Sequence, residues 1–457
     1  MTESAMTDMA VAPHRWIAAA HVGYADVTAM VADALLRRHV GARWWLAVGV
    51  SFLFVLLTLG TIVYLFAIGV GLWGVNTTVV WGYALANYVW WIAIGSGGTL
   101  ISSILVLTGQ PWRNSISRFA ESMTVFAVAI SGLYPILHLG RPQYFYWLTP
   151  YPNTMALWPQ WRSALVWDFW AILSYLLFSI LFLYVGLLPD LATMRDRATS
   201  RTGQRLYGAI ALGWSGSTRQ WRVYRRLHTT LAAVALPLVV SVHSIVGLDF
   251  AASLMPGWQE SIYPPYFVVG ALFSGFAMVL LLTAAVRWSM RLEAIITLNH
   301  FDAMAKVILA AAFLMLLSYA TEWFLGWYSG EAAERAFVAY SFTGDYAAMY
   351  WALLSCNCIL PQALWWRRVR RSLPALVIIA ALILVGMWIE RILIVWNTLS
   401  HGYAAPMWRV FHPTALDWIL LFGPLGAFVF MFLLLMRLIP PVSMFEVRRL
   451  CREQGVA

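Results

Sequence analysis

His138, Asp168, His243, Asp249, Glu322, Glu390 and Arg391 lie within or at the ends of long apolar runs. Hydrocarbon opposes an Asp or Arg at its centre by about 2.5 to 3.5 kcal/mol on translocon scales, so each such residue needs a partner, a water-filled cavity or a function. An imidazole beside a carboxylate can hydrogen-bond the oxygens of a quinone head group and take up the protons released when a quinol is oxidised. Free imidazole titrates near ~6.5, and a neighbouring Asp orients it and stabilises its charged form. His138 and Asp168 are the leading pair, with the rest expected at the same depth in one pocket. Plainer roles remain open: His138 can cap terminal carbonyls, Asp168 suits an N-terminal turn, and Asp249 falls in a loop if its helix ends early. Glu390 and Arg391, about 100° apart on a helix, are each expected to pair with another span.

A second, looser set comprises Glu121, His228, His300, Asp302 and Lys306, on the other half of the membrane. Asp302 and Lys306 stand at i and i+4, where a local salt bridge is the simplest reading. The functional alternative is an inner half-channel for protons. Cys356, Cys358 and Cys451 form no C-x-x-C pair and read as small buried thiols.

Helices must position these groups. Of 457 residues 61% are hydrophobic and 11% charged, against about a quarter charged in soluble domains, and the mean hydropathy is +0.73. About 20 apolar residues cross the hydrocarbon core, where only structures with internally satisfied backbones are stable. The runs predict an all-α integral membrane protein with spans near Trp44–Val70, Trp81–Thr108, Phe119–Leu137, Ala164–Leu188, Thr229–Leu248, Tyr263–Val286, Ala303–Phe324, Tyr346–Trp366, Pro374–Trp396 and Leu416–Met436. The expected organisation is an N-terminal segment 1–43, a membrane domain 44–437 with four-helix bundles near 81–248 and 263–396, and a tail 438–457. The 26 Trp and 20 Tyr fit interfacial belts.

Charge alternates from loop to loop. Twenty-four of the 30 basic residues, eight of them between Arg195 and Arg226, fall on one side, and only Arg141, Arg162, Arg335 and Arg409 on the other. The positive-inside rule makes the first side cytoplasmic, with both termini there, in a bacterial cytoplasmic membrane. The net charge of +10 therefore points to orientation and anionic lipid rather than nucleic acid. Residues 1–40 lack a signal-peptide pattern, and Ala18–Arg38 reads as a partly amphipathic cytoplasmic helix.

The stretch His138-Leu139-Gly140-Arg141-Pro142, then Trp147 and Pro150 to Met155, resembles the polysulfide-reductase membrane-subunit family, often called NrfD-like. Trp112 to Glu121 and Val166-Trp167-Asp168 add to the likeness. Asp302 to Lys306, Trp327 to Gly330 and Met387 to Arg391 resemble its long branch, the quinol-binding membrane subunits of alternative complex III. The resemblance implies two four-helix bundles with flanking helices and menaquinol oxidised near the periplasmic face. It assigns quinol-site roles to His138, Asp168 and Asp249, with Glu390 and Arg391 near the pocket. Glu121, His243, His300, Asp302, Lys306 and Glu322 are candidates for proton paths. Electrons would leave to a periplasmic iron-sulfur subunit, with a second homologous membrane subunit and cytochrome c subunits as further partners; no haem or iron-sulfur cluster is expected in this chain. Gly95-Ser96-Gly97-Gly98 departs from the family where a His is expected.

Three other functions fit parts of the pattern. A scaffold or proton-conducting paralogue would use the same carboxylates without quinone. A transporter would need broken spans in matching positions, and a b-type cytochrome stacked His pairs.

Overall fold

The computed structural model describes residues 16–17, 23–36 and 41–455. Among them every regular element is helical, and ten helices are long and apolar enough to cross a membrane. The protein is therefore a multi-pass integral membrane protein, as location in a bacterial cytoplasmic membrane requires. Of the N-terminal helix expected over Ala18–Arg38, the described part is helical across Tyr24–Thr28, Ala29–Asp33 and Ala34–Leu36. The rest lies outside the described residues.

The helices, in chain order, are α1 (Ala42–Ile68), α2 (Gly82–Leu107), α3 (Ser117–Ser131), α4 (Ala164–Arg197), α5 (Arg201–Ile210), α6 (Thr218–Ala251), α7 (Tyr263–Met290), α8 (Leu298–Tyr328), α9 (Ala332–Thr343), α10 (Ala347–Leu354), α11 (Leu373–Ser400), α12 (Ala415–Leu438) and α13 (Met444–Glu453). Two spans are interrupted where proline removes a backbone donor. After α3 the chain re-forms one turn at Tyr134–Leu137, because Pro135 has no N–H for the Ser131 carbonyl. After α10 it widens to a π turn at Ser355–Ile359 and tightens over Leu360–Trp365, since Pro361 cannot bond the Asn357 carbonyl. Conversely, α4 and α6 continue well past their apolar runs into arginine-rich ends.

α2, α3, α4 and α6 pack as one group of four, and α7, α8, α10 and α11 as another, while α1 and α12 pair beside them. α2 touches α3, α6, α7 and α11 and is buried almost all round. Its small residues make that possible. A Cβ at Gly97 would stand 2.3 Å from the Ala271 carbonyl oxygen and 2.5 Å from the Gly275 Cα, and one at Gly275 would stand 2.5 Å from the Gly97 Cα. A Cβ at Gly95 would stand 2.6 Å from a Val128 methyl of α3, and one at Gly98 2.4 Å from the Ala120 carbonyl oxygen. No side chain fits at Gly95, Gly97 or Gly98 without displacing α3 or α7.

The expected tail contains α13, which packs on the arginine-rich end of the first group. Glu446 accepts from Arg113 at 2.5 Å, Asn114 Nδ2 donates to the Glu446 carbonyl at 3.2 Å, and Met444 N–H donates to Asp190 at 3.1 Å. Burial pushes the Glu446 carboxyl up, but Arg113, His228 and Arg118 outweigh it and hold the carboxyl below the usual range.

Overpacking a tight core costs about 1 to 3 kcal/mol, and backbone on the far side of the Gly97–Gly275 contact leaves little room to relax. Gly275→Val should therefore lower the detergent-phase Tm and the yield of monodisperse protein far more than Gly49→Val, which has open space around it. Equal melting of the two variants would refute this account of the packing.

Candidate functional site

Four elements of the first group converge near the end remote from the arginines. α2 supplies Tyr88, the turn after α3 supplies His138, the start of α4 supplies Asp168 and the last turn of α6 supplies Asp249. Gly140, at φ +89°, lets the chain turn immediately after His138 into Pro142–Leu148. Tyr88, His138 and Asp168 are buried and Asp249 half-buried.

The Tyr88 and His138 rings lie 6.2 Å apart between centroids. The Asp168 carboxyl is within interaction range of both Asp249 and the Tyr88 hydroxyl. Even so, the Tyr88 hydroxyl, both His138 ring nitrogens and one oxygen each of Asp168 and Asp249 have no hydrogen-bond partner among the described residues. A buried polar atom left unpaired costs roughly 1 to 3 kcal/mol. Several together, gathered around Tyr88 without bonding, form a set of donors and acceptors that a ligand with two oxygen functions can satisfy. The capping role for the His138 side chain does not occur, because neither ring nitrogen reaches a carbonyl. Asp249 is helical, since α6 runs on to Ala251.

Glu390 and Arg391, placed by the sequence reading in the same pocket, make their contacts in the second group. Besides meeting residues of other spans, the two also pair with each other, Arg391 NH1 lying 3.0 Å from Glu390 Oε1. Long side chains bridge the angle that separates neighbouring residues. The other Glu390 oxygen accepts from the Tyr319 hydroxyl and, at 3.3 Å, from Asn357. The guanidinium lies 4.2 Å over the Phe267 ring. His243, on α6, touches the opposite side of that contact, 6.1 Å from Phe267, so it stands between the two groups and not among the first four residues.

From Glu390 a polar passage runs toward the arginine-poor end. Tyr319, Glu322, Tyr350, Glu390 and Asn397 line a cavity of about 30 Å³, and Glu322 is within the electrostatic reach of Glu260 and Glu334. Glu334 accepts from the Gly257 N–H at 3.0 Å and from Gln259 at 3.0 Å. Glu260, in the loop before α7, is pushed up to about 7, first by burial and then by the Glu334 charge.

The second sequence set also divides. Glu121 accepts from Ser102 at 2.8 Å, and Arg118 lies 3.7 Å from it and 3.0 Å from Asp190. His228 is stacked between Phe182 and Tyr224 near this network. Lys306 and Arg370 meet Asp302 at 2.7 and 2.9 Å at the mouth of the second group, as the i, i+4 spacing predicts for Lys306. His300 caps α8, its Nδ1 accepting from the Thr297 N–H at 3.1 Å. Cys356, Cys358 and Cys451 are free thiols.

Sequence reasoning missed Tyr88, Tyr319, Asn357 and Asp190. The first three are uncharged and do not stand out from an apolar run. Asp190 follows Pro189 beyond the apolar part of its helix, and its charge was the available signal.

The family model for polysulphide reductase NrfD matches residues 71–401. The chain belongs to the NrfD family. A protein of Halobacterium salinarum named for the membrane subunit of a dimethyl sulfoxide reductase is 27% identical over 49% of this chain and 50% of its own length. A selenate reductase subunit of Mesobacillus selenatarsenatis is 21% identical over 79% of this chain and 85% of its own. The chain thus spans half the length of the first relative and most of the second. The NrfD match contains all four first-group residues and the Glu390–Arg391 pair.

A raised carboxyl in the folded state favours protonation there, so the Glu260 contribution to stability declines as pH rises from about 4.5, the ordinary value, through about 7. Glu260→Gln should match the unaltered protein near the lower pH and melt higher above the upper one. Melting curves across that range test it, and a Tm difference independent of pH would contradict the assignment.

Proposed function

We propose that this NrfD-family chain is the quinol-oxidising membrane subunit of a multi-subunit electron-transfer complex. The observation that carries the reading is the set His138, Asp168 and half-buried Asp249 gathered around Tyr88 from four helical elements, each with a polar atom left unbonded. Relatives named as membrane or other subunits of reductases support a redox setting. The motif resemblance favours the alternative complex III type, with menaquinol as substrate and a periplasmic iron-sulfur subunit, a second homologous membrane subunit and cytochrome c subunits as partners.

The residues fit the chemistry. Oxidising a quinol removes two electrons and two protons; the electrons pass to the partner and the protons need acceptors of this chain. His138 is placed to accept a hydroxyl proton on a ring nitrogen, with Tyr88 beside it to position the head group. Asp168 and Asp249 supply the next acceptors and an exit along the half-buried end of α6. General acid–base residues of this kind contribute about 10²- to 10⁴-fold to rate.

Proton translocation enters the proposal through the second group. Glu390, Glu322 and Glu260 form a sequence of carboxyls, and the cavity between the first two has room for about one water. His243 and Arg391 meet across Phe267 and give the two groups an electrostatic connection. This arrangement also favours the second reading, a proton-conducting paralogue that binds no quinone.

His138→Ala and Asp168→Asn, made in the intact complex, should each reduce quinol turnover by about 10²-fold or more while the assembly keeps all its chains. Retained turnover in both variants would exclude the quinol role and leave the paralogue reading.

A further inference from the structure

A groove with graded polarity opens on the outside of the first helix group, at its arginine-rich end. Arg219, Val223 and Leu227 lie at i, i+4 and i+8 on α6 and form one wall; Val185 and Leu188 of α4 form the other, and Trp214 closes the top. The groove holds about 210 Å³. Arg219 and Gln220 therefore supply its polar part, and Val185, Leu188, Val223 and Leu227 with the rings of Trp214 and Tyr224 its apolar part, the two chemistries that a phospholipid presents as phosphate and hydrocarbon. Val223 and Leu227 are 57% and 42% exposed, so the apolar wall is not closed by the chain itself.

Charge favours an anion at the mouth. Arg219, Arg222 and Arg226, at i, i+3 and i+7, share a face of α6, with Arg225 beside them; all four are exposed and make no ion pair among the described residues. The one acidic side chain between Arg195 and Arg226, Asp196, is taken by Arg195 at 2.7 Å. Arg195 also donates to the Trp214 carbonyl at 3.0 Å, fixing the top of the groove beside a second basic cleft lined by Arg201 and Arg205. A protein helix about 10 to 12 Å across does not fit 210 Å³, whereas the head-group half of one hydrocarbon chain does. Juxtamembrane arginines attract anionic lipid by about 1 kcal/mol each.

We infer that the cleft between α4 and α6 is a binding site for one anionic phospholipid, its phosphate on Arg219 and one acyl chain between Val185, Leu188, Val223 and Leu227. The lipid would hold the long extensions of α4 and α6 together at the membrane surface, independently of the redox role proposed above.

The test uses the intact complex, purified from nanodiscs of phosphatidylcholine alone or with phosphatidylglycerol or cardiolipin, and counts retained phospholipid by native mass spectrometry. The unaltered complex should keep one more anionic phospholipid than Arg219→Gln or Val223→Trp, the first removing the phosphate contact and the second filling the groove. Added phosphatidylglycerol should raise its Tm and leave that of Arg219→Gln unmoved. Equal anionic lipid counts in all three proteins would overturn the proposal, as would retention of phosphatidylcholine in equal amount. Loss of a partner protein from Arg219→Gln with the lipid count unchanged would also overturn it, assigning this face to a protein–protein interface instead.

Discussion

The contact of Gly97 with Gly275 sets the distance between the two helix groups. Without water, helices in a membrane associate by van der Waals packing, and small residues permit the closest approach. Here two glycines meet backbone to backbone, while toward α3 Gly98 meets the Ala120 carbonyl and Gly95 a Val128 methyl. α2 is thereby enclosed by four neighbours and presents Tyr88 to the first group. The same contact brings α6 and α7 alongside each other, with His243 and Phe267 facing across the boundary.

Within this frame the two buried polar clusters differ in whether a cation accompanies the carboxyl groups. Glu390 is engaged by Arg391, Tyr319 and Asn357, a network that lowers the penalty of placing a carboxylate in a low dielectric. Around His138 the groups approach without bonding. Both clusters keep buried polar atoms without hydrogen-bond partners. The presence of a guanidinium beside the carboxylate in one, and of an imidazole and two carboxyls without a cation in the other, separates the proposed proton passage from the proposed quinol site.

Arginine has three uses on the opposite face. Arg118 and Arg113 enter a buried network with Asp190, Glu121 and Glu446 that fastens α13 to the first group. Arg370 closes the mouth of the second group on Asp302. The arginines of α6 make no ion pair among the described residues and stand at the membrane surface, where guanidinium groups complement phosphate in bidentate fashion. Fastening of α13, closure of the second group and the proposed lipid contact thus draw on one charge asymmetry.

Hydropathy alone determined the all-helical class and the number of spans, because hydrocarbon penalises every unpaired peptide group and admits few alternatives. It also singled out His138, Asp168, Asp249, Glu390 and Arg391, since a charge in an apolar run is conspicuous. Depth along a helix can be read from such a run, but rotation about its axis and the identity of the facing helix cannot. The residues expected in one pocket therefore proved to divide between two groups, Glu390 paired with its own neighbour, and uncharged Tyr88, Tyr319 and Asn357 joined them unannounced. Only the packing of α2 against its neighbours, through glycines whose significance is steric, decided which polar atoms meet and which remain free.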